Sequence, residues 1–192
     1  MEEKKLILAS ASPRRRDILE SAGYKFTVVS PECEEVTEGL SPSELTVENS
    51  RRKAMAALSA CDGIIVCADT VVAINERILG KPGTREKARE MLSLLSDNTH
   101  SVITGYTVTN GNKSVSGFVE TRVTMRKIHP DEADAYISVC NPVDKAGAYG
   151  IQEAAGMFVS SIEGDYYNVV GLPLCEISKT LREEFGLSAF MK

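Results

Sequence analysis

One apolar stretch, GIIVCADTVVAI (residues 63–74), constrains the fold more than any other part of the chain. A run this apolar and this rich in β-branched residues predicts a central, buried strand. Strand and helix patterns alternate through the first half of the chain, and hairpin-like strands follow in the middle. This alternation predicts an α/β fold with a mixed sheet. The length of 192 residues predicts a single domain over 1–192.

Local signals in the first half give the order of the elements there. Ser12 and Pro13 suit the first positions of a helix that Gly23 closes. Ser41-Pro42-Ser43-Glu44 has the form of a capping box and predicts a helix over about 42–60. The other elements expected in this half are a strand within 5–10, a strand within 24–30, an acidic loop over 31–41, a loop over 78–83 and a helix after Thr84.

The second half begins with a Val-, Thr- and Ile-rich stretch between His100 and His129. It breaks at Asn110-Gly111-Asn112, which predicts a β-hairpin. The two histidines show no spacing typical of metal ligands, and we assign them no role. The remaining elements expected here are a short helix after Pro130, an aperiodic segment over 142–156, one or two short strands within 157–171 and a final helix over about 172–185.

Composition argues against several classes of function. The net charge of −5 argues against a broad nucleic-acid surface. The sequence has no run of about 18 apolar residues, so we expect no membrane partner. The five cysteines are scattered and form no C-x-x-C pair, which argues against a disulfide framework or a zinc site. We therefore expect a cytoplasmic protein.

Three arginines, Arg14, Arg15 and Arg16, follow Pro13 in the first helical turn, where the helix dipole disfavours cations. Two interpretations stay open. In the first, the arginines are solvated, since arginine is a good helix former. In the second, the helix N-terminus and the guanidinium donors together form a phosphate site. The turn lacks the glycine pattern of a P-loop.

Asp69 lies inside the apolar stretch, although aspartate is depleted in strands. Either the strand ends at Cys67 and Asp69 caps a turn, or Asp69 is a buried general base or metal ligand. The acidic loop adds Glu32, Glu34 and Glu35, and such a charge run is usually solvated. One of these glutamates together with Asp69 would complete a site for Mg²⁺, which needs one or two carboxylates plus phosphate oxygens.

Several cations and one glutamine extend the candidate site. Lys53 lies beside the apolar face of its helix, and Lys81 follows a buried strand. Each alone is typical of a surface lysine, but with Arg14 they would form an electropositive pocket that faces two carboxylates. That composition is expected for phosphoanhydride chemistry. The stretch DKAGAYGIQ supplies Lys145 and Gln152, either in a tight structural turn or in a loop that approaches a ligand and recognises a base.

The chain resembles the Maf family of nucleoside triphosphate pyrophosphatases in four separated stretches: LILASASPRRRDIL, ADTVVAINERILGKP, HSVITGYTV and DKAGAYGIQ…F…IEGDYYNVVGLPL. The resemblance runs from Leu6 to about Phe185. It implies an α/β fold with a long, bent, mixed β-sheet flanked by helices, and two lobes around a nucleotide cleft as in ITPase-like proteins. It further implies hydrolysis of a nucleoside triphosphate to the monophosphate and pyrophosphate, a divalent cation (Mg²⁺ or Mn²⁺) and a homodimer.

The resemblance also implies roles for individual residues. Asp69 matches the general base, and Glu35 matches a carboxylate that acts with the metal, so both are candidate ligands. Lys53 and Lys81 match phosphate-facing lysines. The predicted substrate and specificity residues are Ser10, Ser12, Arg14, Arg15, Thr70, Lys145 and Gln152, of which Arg14, Thr70 and Gln152 match positions linked to substrate choice.

The motifs SPRR, ADT and DKAGAYGIQ resemble the dTTP/UTP branch of the family, so the expected role is to limit non-standard nucleotides in the pool. Modified pyrimidine nucleotides are further candidate substrates. The alternatives are hydrolysis of 7-methyl-GTP and non-catalytic nucleotide binding, since the family has been linked with septum formation and division arrest. One departure is Glu153, which follows Gln152 where the resemblance implies a glycine. We expect it to change a loop beside the base pocket.

Overall fold

The computed structural model describes residues 5–75 and 77–190. Within them, seven strands form one mixed β-sheet. Six strands follow the order β2-β1-β3-β5-β6-β7, and β4 pairs with β3 beside this path. The strands are β1 (Leu6–Ala9), β2 (Phe26–Val29), β3 (Ile64–Ile74), β4 (Arg77–Leu79), β5 (Thr99–Thr109), β6 (Ser114–Met125) and β7 (Val159–Glu163).

Six α-helices lie in the same described residues, together with three short 3₁₀ turns at Pro142–Asp144, Ala146–Ala148 and Ala154–Phe158. The α-helices are α1 (Pro13–Ser21), α2 (Pro42–Leu58), α3 (Arg85–Leu95), α4 (Pro130–Cys140), α5 (Tyr166–Val170) and α6 (Leu174–Phe185). None of these described helices has both the length and the apolar character needed to cross a membrane.

A gap lies along one edge of β3. Strand β5 pairs with residues 65–73 on one edge. On the opposite edge, β1 pairs with residues 64–66 and β4 with residues 72–74. Residues 67–71 therefore lie between the carboxyl end of β1 and the start of the β4 pairing. Ligands of α/β sheets bind outside the carboxyl ends of parallel strands, so this gap is the expected place for a site.

Two large apolar clusters lie on either side of the gap. Leu8 and Val66 belong to the cluster that also holds α1 and α6, whereas Val72 and Leu92 belong to the cluster that holds α3 and α4. Strands β3 and β5 contribute to both clusters, so the two clusters share one sheet. The expected mixed α/β sheet flanked by helices is confirmed.

Gly105 brings α2 unusually close to the sheet. An added Cβ at this glycine would collide with the backbone of Thr46 and Val47 in α2. Gly105 pairs with Asp69 on the neighbouring strand, so the helix passes over the middle of β3. The buried positions of α2 recur at intervals of three and four residues, as a helix face requires, and include Thr46, Asn49, Ser50, Ala54 and Ala57.

Two local predictions are wrong. Strand β4 occupies the start of the predicted loop over 78–83, because Asn75 has a left-handed φ of 49° and the chain reverses there. Ile78 then pairs with Ala73 of β3. The interpretation in which the strand ends at Cys67 is also wrong, since β3 continues through Asp69 to Ile74. The helix over about 42–60 and the hairpin are confirmed, and the capping box is present at Ser41.

Gly105→Ala is expected to lower the free energy of unfolding by about 2–4 kcal/mol, because the new methyl group meets helix backbone that cannot turn aside. Chemical denaturation followed by circular dichroism measures this change. Gly80→Ala is the matched control, since nothing lies within 4 Å of a Cβ there, and its effect should stay within about 0.5 kcal/mol. Equal effects of the two substitutions would contradict the proposed contact.

Candidate active site

Asp69 and Thr70 lie in the middle of the gap, and strand alternation directs their side chains to opposite faces of the sheet. Asp69 contacts Lys53 of α2. Thr70 contacts Arg15 of α1 and the carbonyl oxygen of Gly171, which follows α5. The candidate site therefore has two sides that meet along one strand.

On the α2 side, Lys53 joins two carboxylates. Its Nζ lies 2.6 Å from Asp69 Oδ1 and 2.8 Å from Glu35 Oε1. Of the side chains, 16% of Lys53 and 14% of Asp69 are exposed, against 49% of Glu35. One ammonium group thus holds a largely buried carboxylate and a solvent-facing carboxylate close together. Of the three candidate glutamates in the acidic loop, Glu35 is the one that contacts Lys53.

Asn49 completes this side of the site. Its Nδ2 donates to Asp69 Oδ2 at 3.3 Å and to the carbonyl oxygen of Val36 at 3.0 Å, while its Oδ1 accepts the N–H of Val36 at 2.8 Å. These bonds tie the middle of the acidic loop, at Val36, to the helix. Asn49 was not among the predicted site residues. Its one signal is a polar side chain four residues before Lys53 on the buried face of α2.

Lys53 also lowers the pKa of Glu35. Its hydrogen bond holds the pKa of the Glu35 carboxyl below the ordinary value, and the positive charges of Lys53, Lys81 and Arg15 act in the same direction against partial burial. Burial raises the pKa of the Cys67 thiol to about 12. Cys67 is therefore a neutral thiol at neutral pH rather than a nucleophile.

On the opposite side, Arg15 ties three segments together. Its Nε donates to the carbonyl oxygen of Gly171 at 2.7 Å, one Nη donates to Ser10 Oγ at 3.2 Å, and the other donates to Thr70 Oγ1 at 3.1 Å. Burial lowers the pKa of the Arg15 guanidinium, and the charge of Asp69 opposes this shift. Three of the five N–H donors of an arginine side chain are thus committed to the protein.

The start of α1 presents backbone donors to the gap. Ser12 is the N-cap residue, as predicted, but its side chain makes no capping hydrogen bond. Instead its N–H donates to Ser10 Oγ at 3.2 Å. Pro13 has no N–H, and Ser12 leaves the N–H groups of Arg14 and Arg15 uncapped. A helix start of this kind, with its positive dipole, suits an anion.

A third group gathers around Glu153. Its Oε2 lies 3.3 Å from Lys145 Nζ, and its Oε1 lies 4.0 Å from Arg14 Nη1. The Lys145 side chain is only 11% exposed, and its Nζ also lies 3.6 Å from Asp144 Oδ1. Gln152 precedes Glu153 and is exposed. The carboxylate of Glu153 thus brings Arg14 and Lys145 together beside the glutamine.

Lys81 is exposed on the loop that follows β4. The N–H of Gly147 donates to the carbonyl oxygen of the neighbouring Gly80 at 3.2 Å. Gly147 has a φ of 66°, a left-handed conformation that favours glycine. The Lys81 loop therefore lies against the segment that carries Lys145, and the Lys81 charge reaches Glu35.

A buried pair anchors the same segment. His100 Nε2 lies 2.8 Å from the Tyr149 hydroxyl, and both residues are buried. Burial lowers the pKa of His100 to about 4, so its ring is neutral at physiological pH. His100 was given no role because the histidines lack metal-ligand spacing, and no local pattern joins it to a partner 49 residues away.

The predicted site residues therefore fall into groups around the gap. Direct contacts join Glu35, Lys53 and Asp69; a second set joins Ser10, Arg15 and Thr70; and Glu153 links Arg14 with Lys145. Lys81 acts on Glu35 through the electrostatic effect of its charge. Gln152 lies beside the third group because it precedes Glu153 in the chain.

The donor set of the first group suits a hard divalent cation. Oxygens of Glu35 and Asp69 converge on the same ammonium group. In the part of the chain that the structure describes, no cluster of three or more His, Cys, Asp or Glu residues could hold a metal. Mg²⁺ is commonly bound by one or two carboxylates together with water and substrate phosphates. The two carboxylates therefore fit a cation that binds together with a phosphate ligand.

Comparison with known proteins gives the family of the chain. The Maf-like protein family model matches residues 5–184. A dTTP/UTP pyrophosphatase of Bacillus cereus (strain ATCC 10987 / NRS 248) is 45% identical over 182 residues, which cover 94% of this chain and 90% of the relative. A dTTP/UTP pyrophosphatase of Bacillus anthracis is 43% identical over 182 residues, covering 94% and 95%. The structure of the Staphylococcus aureus Ham1 protein aligns at a TM-score of 0.46 and 13% identity, covering 64% of this chain and 72% of that one. By the family match and the identities to the two Bacillus proteins, the chain belongs to the Maf family.

Proposed function

We propose that this protein hydrolyses dTTP and UTP, and modified pyrimidine nucleotides of the same class, to the nucleoside monophosphate and pyrophosphate. The observation that carries the proposal is the cluster of Glu35, Lys53 and Asp69 in the gap of the sheet. Relatives named dTTP/UTP pyrophosphatase, identical at 43–45% of positions, support the choice of substrates.

Asp69 is the proposed general base. Its carboxylate accepts a proton from water, and the water oxygen attacks the α-phosphorus. The bond from the α-phosphorus to the bridging oxygen breaks, and its electron pair leaves with pyrophosphate. Lys53 and Asn49 each contact one Asp69 oxygen, so the carboxylate is held in one orientation before the substrate arrives.

Cations around the gap offset the charge of the triphosphate. Lys53 and Lys81 are proposed to face the leaving pyrophosphate, where negative charge develops. Arg14, Lys145 and the uncapped start of α1 are proposed to hold the other phosphate oxygens. Arg15 is committed to three protein acceptors, so its main contribution is to keep Ser10 and Thr70 in place.

Glu35 and Asp69 would hold a Mg²⁺ or Mn²⁺ ion together with the substrate. When bound, the ion would neutralise charge on the phosphate oxygens. The half-exposed Glu35 carboxylate suits this role because it faces solvent, and its contact with Lys53 lowers the pKa of the carboxyl further below neutral pH.

The substrate choice is proposed to depend on Arg14, Thr70 and Gln152. The cellular role proposed here is to limit non-standard nucleotides in the cytoplasmic pool, with a link to division arrest. All five cysteines are free, which supports a reducing compartment. The homodimer implied by the resemblance stays a prediction.

Release of pyrophosphate from a panel of nucleotides tests the proposal. The panel contains dTTP, UTP, CTP, 5-methyl-UTP, GTP and 7-methyl-GTP, each with Mg²⁺ or Mn²⁺. Fast release is expected from dTTP and UTP. Release from 7-methyl-GTP alone would support the pyrophosphatase reaction but contradict the assignment of pyrimidine substrates. Nucleotide binding without any release would identify a non-catalytic nucleotide-binding protein instead.

Asp69→Asn is expected to lower kcat for UTP by about 10²–10⁴-fold, because the amide cannot accept the proton from water. The fold should persist, since the amide keeps the shape of the side chain and its oxygen still accepts from one of the two donors, Lys53 or Asn49. Asp62→Asn is the control, because Asp62 is an exposed aspartate just before β3. A loss of less than about tenfold in the Asp69 variant would remove this residue from the role of base.

Lys53→Met is expected to raise the pKa of Glu35, because the lysine contact is the main cause of its depression. With a lowered folded pKa, the Glu35 contact stabilises the folded protein above the ordinary glutamate pKa, and this contribution is lost as the pH falls through the lowered value. The ¹³C chemical shift of the Glu35 carboxyl against pH measures the change. Lys113→Met, which removes a lysine paired with Glu184, should leave the titration unchanged.

A further inference from the structure

A carboxylate lies between two of the cations proposed to hold the substrate. Glu153 Oε2 is 3.3 Å from Lys145 Nζ, and Glu153 Oε1 is 4.0 Å from Arg14 Nη1. Only 11% of the Lys145 side chain is exposed. A cation at this depth needs a partner, and without substrate Glu153 supplies it.

The loop leaves room for this contact. A Cβ at Gly150 would lie 3.2 Å from Lys145 Cε and 3.3 Å from Glu153 Cδ, closer than ordinary van der Waals contact. The N–H of Glu153 donates to the carbonyl oxygen of Gly150 at 3.0 Å, so the backbone is held. The Glu153 side chain itself is 40% exposed. Rotation about its side-chain bonds therefore moves the carboxylate into solvent while the loop stays in place.

We infer that Glu153 competes with the phosphates of the substrate for Arg14 and Lys145, and thereby sets the affinity of the site. The inference rests on the proposed function, which assigns these two cations to the triphosphate. Phosphate and carboxylate oxygens need the same donors, and their negative charges repel each other. A triphosphate displaces the carboxylate more readily than a monophosphate product does, because it carries more charge. The competition therefore favours release of the monophosphate product.

Glu153→Gln tests the inference, because it removes the charge and keeps the length of the side chain. The KM for UTP is expected to fall about three- to tenfold, with kcat within about twofold of the wild-type value. The Kd of inorganic tripolyphosphate, measured by calorimetry, should fall by a similar factor. This second measurement needs no turnover.

Asp144→Asn is the matched control. Asp144 Oδ1 also lies 3.6 Å from Lys145 Nζ, but 73% of its side chain is exposed, so water screens its charge. The substitution removes one negative charge near the same lysine. The KM for UTP and the Kd of tripolyphosphate are expected to stay within about twofold of the wild-type values.

The outcomes separate this inference from the proposed function. If the wild-type protein hydrolyses UTP and Glu153→Gln leaves KM and Kd unchanged or raises them, the competition is overturned and the proposed function stands. If UTP is not hydrolysed but tripolyphosphate binds more tightly to Glu153→Gln, the competition stands and the proposed activity fails. If neither UTP is hydrolysed nor tripolyphosphate bound, both are overturned.

Discussion

The contact between α2 and the sheet at Gly105 determines where the charged side chains of the site can lie. Because Gly105 has no side chain, the backbone of Thr46 rests directly on β5. Gly105 pairs with Asp69, so the helix crosses the middle of the neighbouring strand. Helical periodicity then brings Asn49 and Lys53, three and seven residues after Thr46, over the Asp69 carboxylate. A missing side chain on one strand thus positions the polar groups above another.

The same geometry answers a problem of electrostatics. A carboxylate inside a strand is destabilising unless both oxygens find partners. Asp69 has Lys53 on one oxygen and Asn49 on the other. Since the Lys53 ammonium also binds Glu35, the pairing that the fold requires places two carboxylates at the open edge of β3. Stability and the proposed chemistry therefore depend on the same lysine.

Local patterns were enough to predict most elements, but they could not predict the contacts that complete the site. The capping box at Ser41 and the apolar run around Asp69 depend on neighbouring residues, and both gave correct elements. Strand β4 was missed because a three-residue strand has too few side chains to show alternation. Asn49 was missed as a site residue, since its partner Asp69 lies 20 residues away. Glu153 was noted only as a change in a loop, because its contact with Arg14 spans 139 residues and follows no local pattern.

The three arginines at the start of α1 also show that a local pattern cannot predict the partner of each side chain. The local pattern at the helix start does not separate them, since solvation and phosphate binding explain it equally well; only the resemblance singles out Arg14 and Arg15. In the structure Arg15 is used by the fold, Arg14 faces Glu153, and Arg16 is an exposed residue that lies 3.8 Å from Glu20 one turn later. Periodicity separates them, because successive helical positions differ by about 100°. Each arginine therefore offsets the unfavourable helix dipole in a different way. Arg15 binds buried acceptors, Arg14 faces the Glu153 carboxylate, and Arg16 lies in solvent with a surface ion pair.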